Sequence, residues 1–349
     1  MDPKSSVRER KTATNGRAPR LIRSAIGYLL GAACLVWVFH DIRAGELPRY
    51  IGNISWRWVA LAILADILSY VCQAWRWQLL LKPVGKVSII RAAQAIYAGL
   101  FANEILPLRF GELVRAYLVS QWLSVKVSSV VPSMIVERLL DGILLTIGIG
   151  LTMSFVSLPK DLLEAGDIFA VMVLIAIAAF IYLVLPQKAS GDKAASEETG
   201  DWIVLWKVRT FLTSVAEGLR AIRAAKNLYL SFAVSNLFLA LQILAFWLIM
   251  HAYGLKLSVW IGVVVFLIVH LGTAIPNAPA NIGTYQFFTV VGLALFGVDK
   301  TLATGFSVVV FVLLTAPLWF IGFLALGRSG FSLTHIGEKM RLVKQHQAD

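Results

Sequence analysis

Charged residues are scarce in this 349-residue sequence, where Asp, Glu, Lys and Arg together make up only 15%. Soluble domains carry about 25% charged residues, so this chain is too poor in charge for an ordinary water-facing surface. Hydrophobic residues make up 58% of the sequence, and the mean hydropathy is +0.75. The composition therefore excludes an ordinary soluble domain and predicts an integral membrane protein.

Metal-binding and nucleotide-binding patterns are also missing. The two cysteines, Cys34 and Cys72, lie far apart in apolar segments and the five histidines are scattered, so we expect no metal site and no cofactor. The sequence contains no GxxxxGK[ST] loop, no GxSxG elbow and no HExxH pair. These absences disfavour ATP-driven pumping and familiar hydrolase chemistry.

The net charge of +12 does not indicate a nucleic-acid partner. Lys and Arg crowd into the two ends of the chain and one long loop, which is where membrane topology places them. We therefore expect membrane lipids with anionic head groups as partners and no nucleic acid. A homo-oligomer and an association with lipid-biosynthetic enzymes both stay open.

Apolar segments long enough to cross a bilayer recur along the whole chain. Two further stretches, 87–123 and 258–297, are apolar but contain proline, glycine and polar residues that break a helix at membrane depth. The pattern predicts an all-α polytopic membrane protein with two broken, re-entrant hairpins and six full spans. The predicted spans cover about 21–39, 58–81, 130–157, 168–185, 229–253 and 301–327.

The distribution of basic residues sets the predicted topology. If 87–123 crossed the membrane once, the basic loop 186–228 would lie opposite the basic N-terminal tail, contrary to the enrichment of Lys and Arg in cytoplasmic loops. A hairpin places residues 1–20, the loop 186–228 and residues 328–349 in the cytoplasm. We expect a multi-pass protein of the cytoplasmic (inner) membrane. Its loop 186–228 carries an amphipathic helix that contacts lipid head groups or packs on the membrane domain.

The two interrupted stretches share a Pro-x-x-x-Gly pattern, at Pro107–Gly111 and Pro279–Gly283. Each half of the membrane domain 21–327, about 21–157 and 168–327, contains two spans, a broken hairpin and a further span. Because three crossings invert the second half, the hairpins would enter from opposite sides of the membrane. This predicts an inverted repeat, which is typical of secondary transporters.

The first hairpin concentrates charge after its proline. A half-helix that begins there exposes backbone N–H groups to an anion, and the guanidinium groups of Arg109 and Arg115 match phosphate oxygens. Alternatively, Glu112 and Arg115, three apart on one helix face, form an ion pair that merely lets the hairpin enter the bilayer. The predicted phosphate-binding residues are Asn103, Arg109, Gly111 and Arg115.

The next span carries Glu137, Arg138 and Asp141. Each ionisable group at membrane depth costs about 2.5 kcal/mol or more, so each needs a partner or a purpose. Arg138 can pair with Asp141 at i, i+3, and Glu137 can either neutralise an arginine of the hairpin or carry a proton during transport. With Glu112, these residues form the predicted polar core.

The second hairpin is polar but largely uncharged. Its side chains could line a path for a head group, or they could satisfy backbone groups freed by Pro276 and Pro279. The residues concerned are His270, Asn277, Asn281, Gly283, Thr284 and Gln286.

Three motifs together resemble a known family: Asn103…Pro107-Leu-Arg-Phe-Gly-Glu-Leu-Val-Arg115, Glu137-Arg-Leu-Leu-Asp141 and Pro276…Gly283. They resemble the flippase-like family of the lysylphosphatidylglycerol synthase transmembrane region, over nearly all of residues 20–327. That family includes the lipid-flipping half of bacterial aminoacyl-phospholipid synthases, stand-alone and hopanoid-associated bacterial proteins, and archaeal proteins linked to dolichol-phosphate sugar pathways. The resemblance implies lipid translocation or lipid-linked glycan work. It also implies that Arg109, Gly111, Glu112, Arg115, Glu137, Arg138 and Asp141 form the family's polar core.

The sequence departs from the family pattern in the second hairpin. Gln286 stands where the family often has a glutamate, and Ala280 and Asn281 stand where it often has glycines. A charged role at that position is therefore not expected. No aminoacyl-transferase domain accompanies the membrane region, so we do not expect this chain to make lysyl-lipid.

We expect a lipid flippase or transporter and not an enzyme. The lipid would be an anionic phospholipid, a polyprenyl-phosphate-linked lipid or a hopanoid-type lipid, crossing the cytoplasmic membrane as the two halves rock. One alternative is a membrane glycosyltransferase that uses a lipid-phosphate sugar donor, with Glu112 or Glu137 as general base. Another is a non-transporting scaffold of a lipid-biosynthetic complex.

Overall fold

All regular structure in the described part of the chain is helical. The structure is a computed structural model that describes residues 18–105, 110–156, 160–184, 217, 227–274 and 279–329. Two 3-10 turns, Ala44–Glu46 and Pro279–Asn281, accompany the α-helices. The α-helices are α1 (Ala18–Phe39), α2 (Leu47–Gly52), α3 (Trp56–Leu81), α4 (Ile89–Ile105), α5 (Gly111–Leu123), α6 (Val127–Met153), α7 (Lys160–Val184), α8 (Asn227–Ala252), α9 (Val259–Ala274), α10 (Thr284–Ala294) and α11 (Lys300–Arg328).

Long helices occupy the segments predicted as spans. Helices α3, α8 and α11 are long and apolar enough to cross a membrane, and shorter apolar stretches lie in α1, α7 and α9. Helix α6 has 27 residues, but it carries the charges of Glu137, Arg138 and Asp141. The all-helical class and the multi-pass membrane assignment are confirmed, whereas the count of six spans stays a prediction.

Large apolar side chains are exposed along the long helices. In α7, the exposed set includes Ile168, Val171, Leu174 and Ile175. In a soluble protein such a surface would mark an interaction site, whereas a membrane protein can expose it to lipid tails.

The helices are interrupted in both stretches that carry the Pro-x-x-x-Gly pattern. Helix α4 ends at Ile105 and α5 begins at Gly111, while α9 ends at Ala274 and α10 begins at Thr284. Residues 106–109 and 275–278, which include Pro107, Arg109, Pro276 and Asn277, lie outside the described residues. The re-entrant path of each helix pair through a bilayer stays a prediction.

The chain forms two compact units, each drawn from both halves of the sequence. Unit 1 comprises the described parts of Met1–Ile63, Ala102–Gly111 and Ala245–Ala316. Unit 2 comprises those of Leu64–Phe101, Glu112–Leu244 and Pro317–Asp349. The inverted repeat of 21–157 and 168–327 stays a prediction. The loop 186–228 with its predicted amphipathic helix, and the tails 1–17 and 330–349, lie outside the described residues apart from Glu217, Asn227 and Leu228.

Small residues bring the helices of unit 2 together. Alanines of α4 and α5, among them Ala92, Ala95 and Ala116, are buried in one apolar cluster with Trp77 of α3 and Val130 of α6. Small side chains let helix backbones approach closely, which is the main source of packing energy where lipid tails replace water. The same cluster therefore holds α3, α5 and α6 in contact.

A glycine contact holds the second hairpin in unit 1. Helix α10 packs against α9 and against α1. Gly283, just before α10, has φ +92°, and a Cβ added there would collide with the backbone carbonyl of Gly31 in α1. The residue must therefore be glycine for two reasons, its left-handed backbone and the close approach of α1.

We predict that Gly283→Ala lowers the apparent melting temperature of the purified protein far more than Gly254→Ala. Gly254 has nearly the same φ, +91°, but a Cβ there meets no atom within 4 Å. Gly254→Ala should cost only the left-handed strain, about 1–2 kcal/mol, whereas Gly283→Ala must also push α1 away. Thermal unfolding in detergent, followed by tryptophan fluorescence, measures the difference. Equal losses in the two variants would contradict the contact.

Candidate functional site

A buried carboxylate lies at the centre of a group of ionised side chains in unit 2. Glu137 of α6 is fully buried, and its Oε1 and Oε2 lie 2.7 Å from Arg76 Nη2 of α3 and 2.7 Å from Arg115 Nη2 of α5. Gln73 Nε2 of α3 donates a third hydrogen bond to Glu137 Oε1, at 3.2 Å. A charge removed from water needs such donors, so Glu137 is held as an ionised carboxylate.

The network extends outward from Glu137. Arg76 Nη1 pairs with Asp141 and also donates to Ser235 Oγ at 3.2 Å. Arg138 Nη1 lies 3.6 Å from Asp141 Oδ2, and Arg138 Nη2 pairs with Glu112. The six ionised side chains, which we call the ion cluster, are Arg76, Arg115, Arg138, Glu112, Glu137 and Asp141. Three positive and three negative formal charges cancel.

The spacing along each helix explains how the ion cluster forms. Glu137 and Asp141 lie one turn apart on α6, and both face Arg76. Helices α3 and α5 each contribute a pair of polar residues three positions apart, Gln73 with Arg76 and Glu112 with Arg115. Residues three positions apart lie on the same face of a helix, so each helix presents its pair towards α6.

Aromatic rings cover the buried arginines. The guanidinium carbon of Arg115 lies 4.4 Å from the ring centroid of Trp77, and that of Arg76 lies 5.1 Å from the ring of Phe238. Such cation–π contacts contribute most where water is excluded. Trp77 lies near the end of a predicted span, where an interfacial aromatic belt is usual, yet it is fully buried and donates to Ser133 Oγ at 3.0 Å.

The ion cluster is closed at one end and open at the other. The side chains of Arg76, Glu137 and Arg115 are 0%, 1% and 5% exposed. Asp141 is 22% exposed, Glu112 32% and Arg138 53%. Arg138 is therefore the guanidinium of the cluster that a ligand reaches first.

Glu112 and Arg115 of the first hairpin pair with residues of α6 and not with each other. Arg115 binds Glu137 with both terminal nitrogens, which is one of the two roles expected for Glu137, and Glu112 binds Arg138. The Arg138–Asp141 pair expected from its i, i+3 spacing is present. Arg109 lies outside the described residues, so phosphate contact by Arg109 and Arg115 stays a prediction.

At each helix break, a side-chain amide oxygen accepts a hydrogen bond from the backbone N–H of a glycine. Asn103 Oδ1 accepts from the Gly111 N–H at 2.7 Å, and Gln286 Oε1 accepts from the Gly283 N–H at 2.7 Å. Both amides therefore stabilise the start of the following helix. Asn103 was predicted to bind phosphate, but in this structure its oxygen binds backbone.

The other polar residues of the second hairpin also lie close to their own backbone or rings. Thr284 Oγ1 donates to the Asn281 carbonyl at 3.0 Å, and the His270 ring lies 4.3 Å from the ring of Phe266. The contacts of Thr284 and Gln286 match the alternative in which these residues satisfy the broken backbone. Asn277 lies outside the described residues, and a lining role for the hairpin stays a prediction.

Arg76 and Gln73 were not among the residues predicted from the sequence. Arg76 lies between Trp75 and Trp77 near the end of a predicted span, yet it is fully buried. A detectable signal was present, because Asp66, Ser69, Gln73 and Arg76 repeat at intervals of three and four within an apolar helix. No group of three or more His, Cys, Asp or Glu in the described part could hold a metal ion.

Comparison with known proteins identifies a family over most of the chain. The model of the family described as the lysylphosphatidylglycerol synthase transmembrane region matches residues 24–322. The chain belongs to this family. The membership links the chain to membrane lipids and confirms the resemblance expected from the motifs.

Two relatives from Methanothermobacter thermautotrophicus, both named UPF0104 membrane protein, align over most of the chain. One is 24% identical over 312 residues, covering 82% of this chain and 90% of the relative. The other is 23% identical over 302 residues, covering 82% of this chain and 86% of the relative. No solved structure matches the chain.

We predict that Glu137→Gln destabilises the protein far more than Glu112→Gln. Removing one partner of a buried ion pair costs about 3–5 kcal/mol, whereas an exposed pair contributes about 0–1 kcal/mol. Unfolding of the detergent-purified variants measures both losses. Arg76 keeps Asp141 as a partner in Glu137→Gln, so adding Arg115→Gln removes the cation that is left without a carboxylate and should recover part of the loss. Equal destabilisation by the two single variants would contradict the central position of Glu137.

Proposed function

We propose that this family member moves an anionic membrane lipid across the cytoplasmic membrane, with the lipid phosphate bound at the open end of the ion cluster. The observation that carries the proposal is a charge-balanced set of six ionised groups inside apolar helices, accessible at Arg138. Ionised groups at membrane depth are costly and usually mark a pathway or a ligand site.

The chemistry of Arg138 favours a phosphate. Its guanidinium is half-exposed and presents a planar set of donors, which matches two oxygens of a phosphate group. Its present partner, Glu112, is also partly exposed, so a head group can replace the Glu112 carboxylate on Arg138 without opening the buried centre of the cluster.

Charge balance limits how the lipid binds. The six groups already sum to zero, so a phosphate adds a negative charge that must be compensated. In the proposed binding step Glu112 is displaced towards water, where its charge costs little. Arg109 adds one further positive charge close to Glu112 in sequence, and we propose that it contacts the same phosphate.

This chemistry selects lipids by head group. Phospholipids and polyprenyl-phosphate lipids carry the phosphate that Arg138 would bind, and hopanoid-type lipids fit only if they carry an anionic group. A glycosyltransferase would need an accessible general base. Of the two candidate bases, Glu137 is buried between two arginines and Glu112 is paired with Arg138, which favours transport over sugar transfer. We propose cytoplasmic termini, in line with the basic residues at both ends.

We predict that Arg138→Gln slows translocation of a fluorescent phosphatidylglycerol in liposomes by about tenfold or more, since a charged hydrogen bond contributes about 1.5–3 kcal/mol. Protection of the label from an external quencher measures the rate. Arg138→Lys should fall in between, because it keeps the charge but loses the planar geometry. Arg57→Gln, an exposed arginine outside the ion cluster, is the matched control and should match the wild type.

Two results would overturn the proposal. One is a wild-type protein that translocates neither phosphatidylglycerol nor a labelled polyprenyl phosphate. The other is a covalent change in the lipid, detected by mass spectrometry after incubation with a sugar donor, which would support the glycosyltransferase instead.

A further inference from the structure

A second carboxylate is buried in unit 2, away from the ion cluster. Asp66 of α3 is 5% exposed, and it forms no ion pair and accepts no side-chain hydrogen bond within the described ranges. Glu137, which is equally buried, has two arginines and an amide around it. The two carboxylates therefore differ in what keeps each of them inside an apolar helix bundle.

Among the described residues, no positively charged side chain interacts with Asp66. The titratable groups near it in the described part are Tyr97 of α4, which interacts electrostatically with Asp66, and Tyr70, one turn further along α3. The rings of Tyr70 and Tyr97 lie 5.3 Å apart. An ionised carboxylate without a cation is costly in such a place, so the neutral, protonated form is favoured.

Asp66 begins a line of buried polar groups that leads to the ion cluster. Asp66, Ser69, Gln73 and Arg76 follow one another at intervals of three, four and three residues, and all are buried. Ten residues of helix span about 15 Å, roughly half of a bilayer's hydrocarbon layer. The line ends where Gln73 Nε2 donates to Glu137.

Three buried polar atoms on or beside this line have no hydrogen-bond partner among the described residues. They are the hydroxyl of Tyr97, the Oε1 of Gln73 and the Nε of Arg76. Buried polar atoms are rarely left without a partner, and such exceptions commonly mark a place for water or an exchangeable proton. Of the three residues, Tyr97 interacts electrostatically with Asp66 itself.

We propose that Asp66 is a proton-binding site that couples lipid movement to protons, an inference that rests on the proposed transport function. One proton from water binds the Asp66 carboxylate to form a neutral carboxylic acid, and it returns to water when the carboxylate is exposed again. No electron is transferred. Glu137 does not serve in this role, because its arginine partners hold it ionised whether Asp66 is protonated or not.

The coupling is tested with full-length protein in liposomes that contain fluorescent phosphatidylglycerol. A gradient of about one pH unit biases a one-proton step by about tenfold. In the wild type, the ratio of labelled lipid between the two leaflets should therefore change by up to about tenfold. Asp66→Asn should translocate lipid without responding to the gradient. Asp167→Asn, at an exposed position of α7, is the matched control and should respond like the wild type.

Proton binding is also measured without transport, by infrared difference spectra recorded between about pH 6 and pH 9, a range in which exposed aspartates are already ionised. Aspartate labelled with ¹³C identifies an aspartic acid carbonyl band in the wild type, and this band should be lost in Asp66→Asn and kept in Asp167→Asn. Because the labelled band is measured in the wild type, a variant that fails to fold does not remove the test. If Asp66→Asn does not fold, Asp66→Glu is used instead. It places an unlabelled glutamate at position 66, so the carbonyl band should no longer show the ¹³C shift.

Each outcome decides one of the two proposals. If the wild type translocates lipid without responding to the gradient, or if Asp66→Asn responds like the wild type, the coupling is wrong and transport stands. If no labelled carbonyl band titrates, Asp66 is not a proton site. If the band is present but no lipid moves, the transport function fails and proton binding remains.

Discussion

The Glu137 carboxylate, bound by Arg76 and Arg115, makes α3, α5 and α6 depend on one another in unit 2. None of the three charges is tolerable alone in an apolar bundle, because an unpaired buried charge costs several kcal/mol. The helices must therefore bring these groups together as they pack. The small residues of α4 and α5 and the ring of Trp77 allow the backbones to come close enough for the ion pairs to form.

The rest of the ion cluster follows from that centre. Arg76 reaches Asp141 one turn along α6, and Asp141 in turn lies near Arg138, whose other partner is Glu112. The buried centre holds the helices, and the exposed end is the part that can exchange partners. Structural and ligand-binding roles are therefore separated along one network, and for this reason we assign lipid binding to Arg138 and not to the buried arginines.

The helix breaks use a simpler principle. At both breaks a carboxamide oxygen accepts the N–H of a glycine, from Asn103 before α5 and from Gln286 within α10. A broken helix leaves backbone donors without partners, and in hydrocarbon no water can satisfy them. Amide side chains solve this without adding charge. Gln286, which stands where the family often has a glutamate, serves this purpose in unit 1.

Composition and periodicity alone determined the helical class, the membrane environment, the positions of the long helices and the two breaks, because hydrophobic length and proline act locally. They also predicted Glu112, Glu137, Arg138 and Asp141 as a polar core, and the family resemblance added Arg115 to it. Only the tertiary structure decided the pairing, since ion pairs such as Arg115–Glu137 join different helices, and local spacing suggested Glu112 instead. Likewise, Arg76 was not predicted as part of the polar core, because its burial depends on helices distant in sequence that surround it.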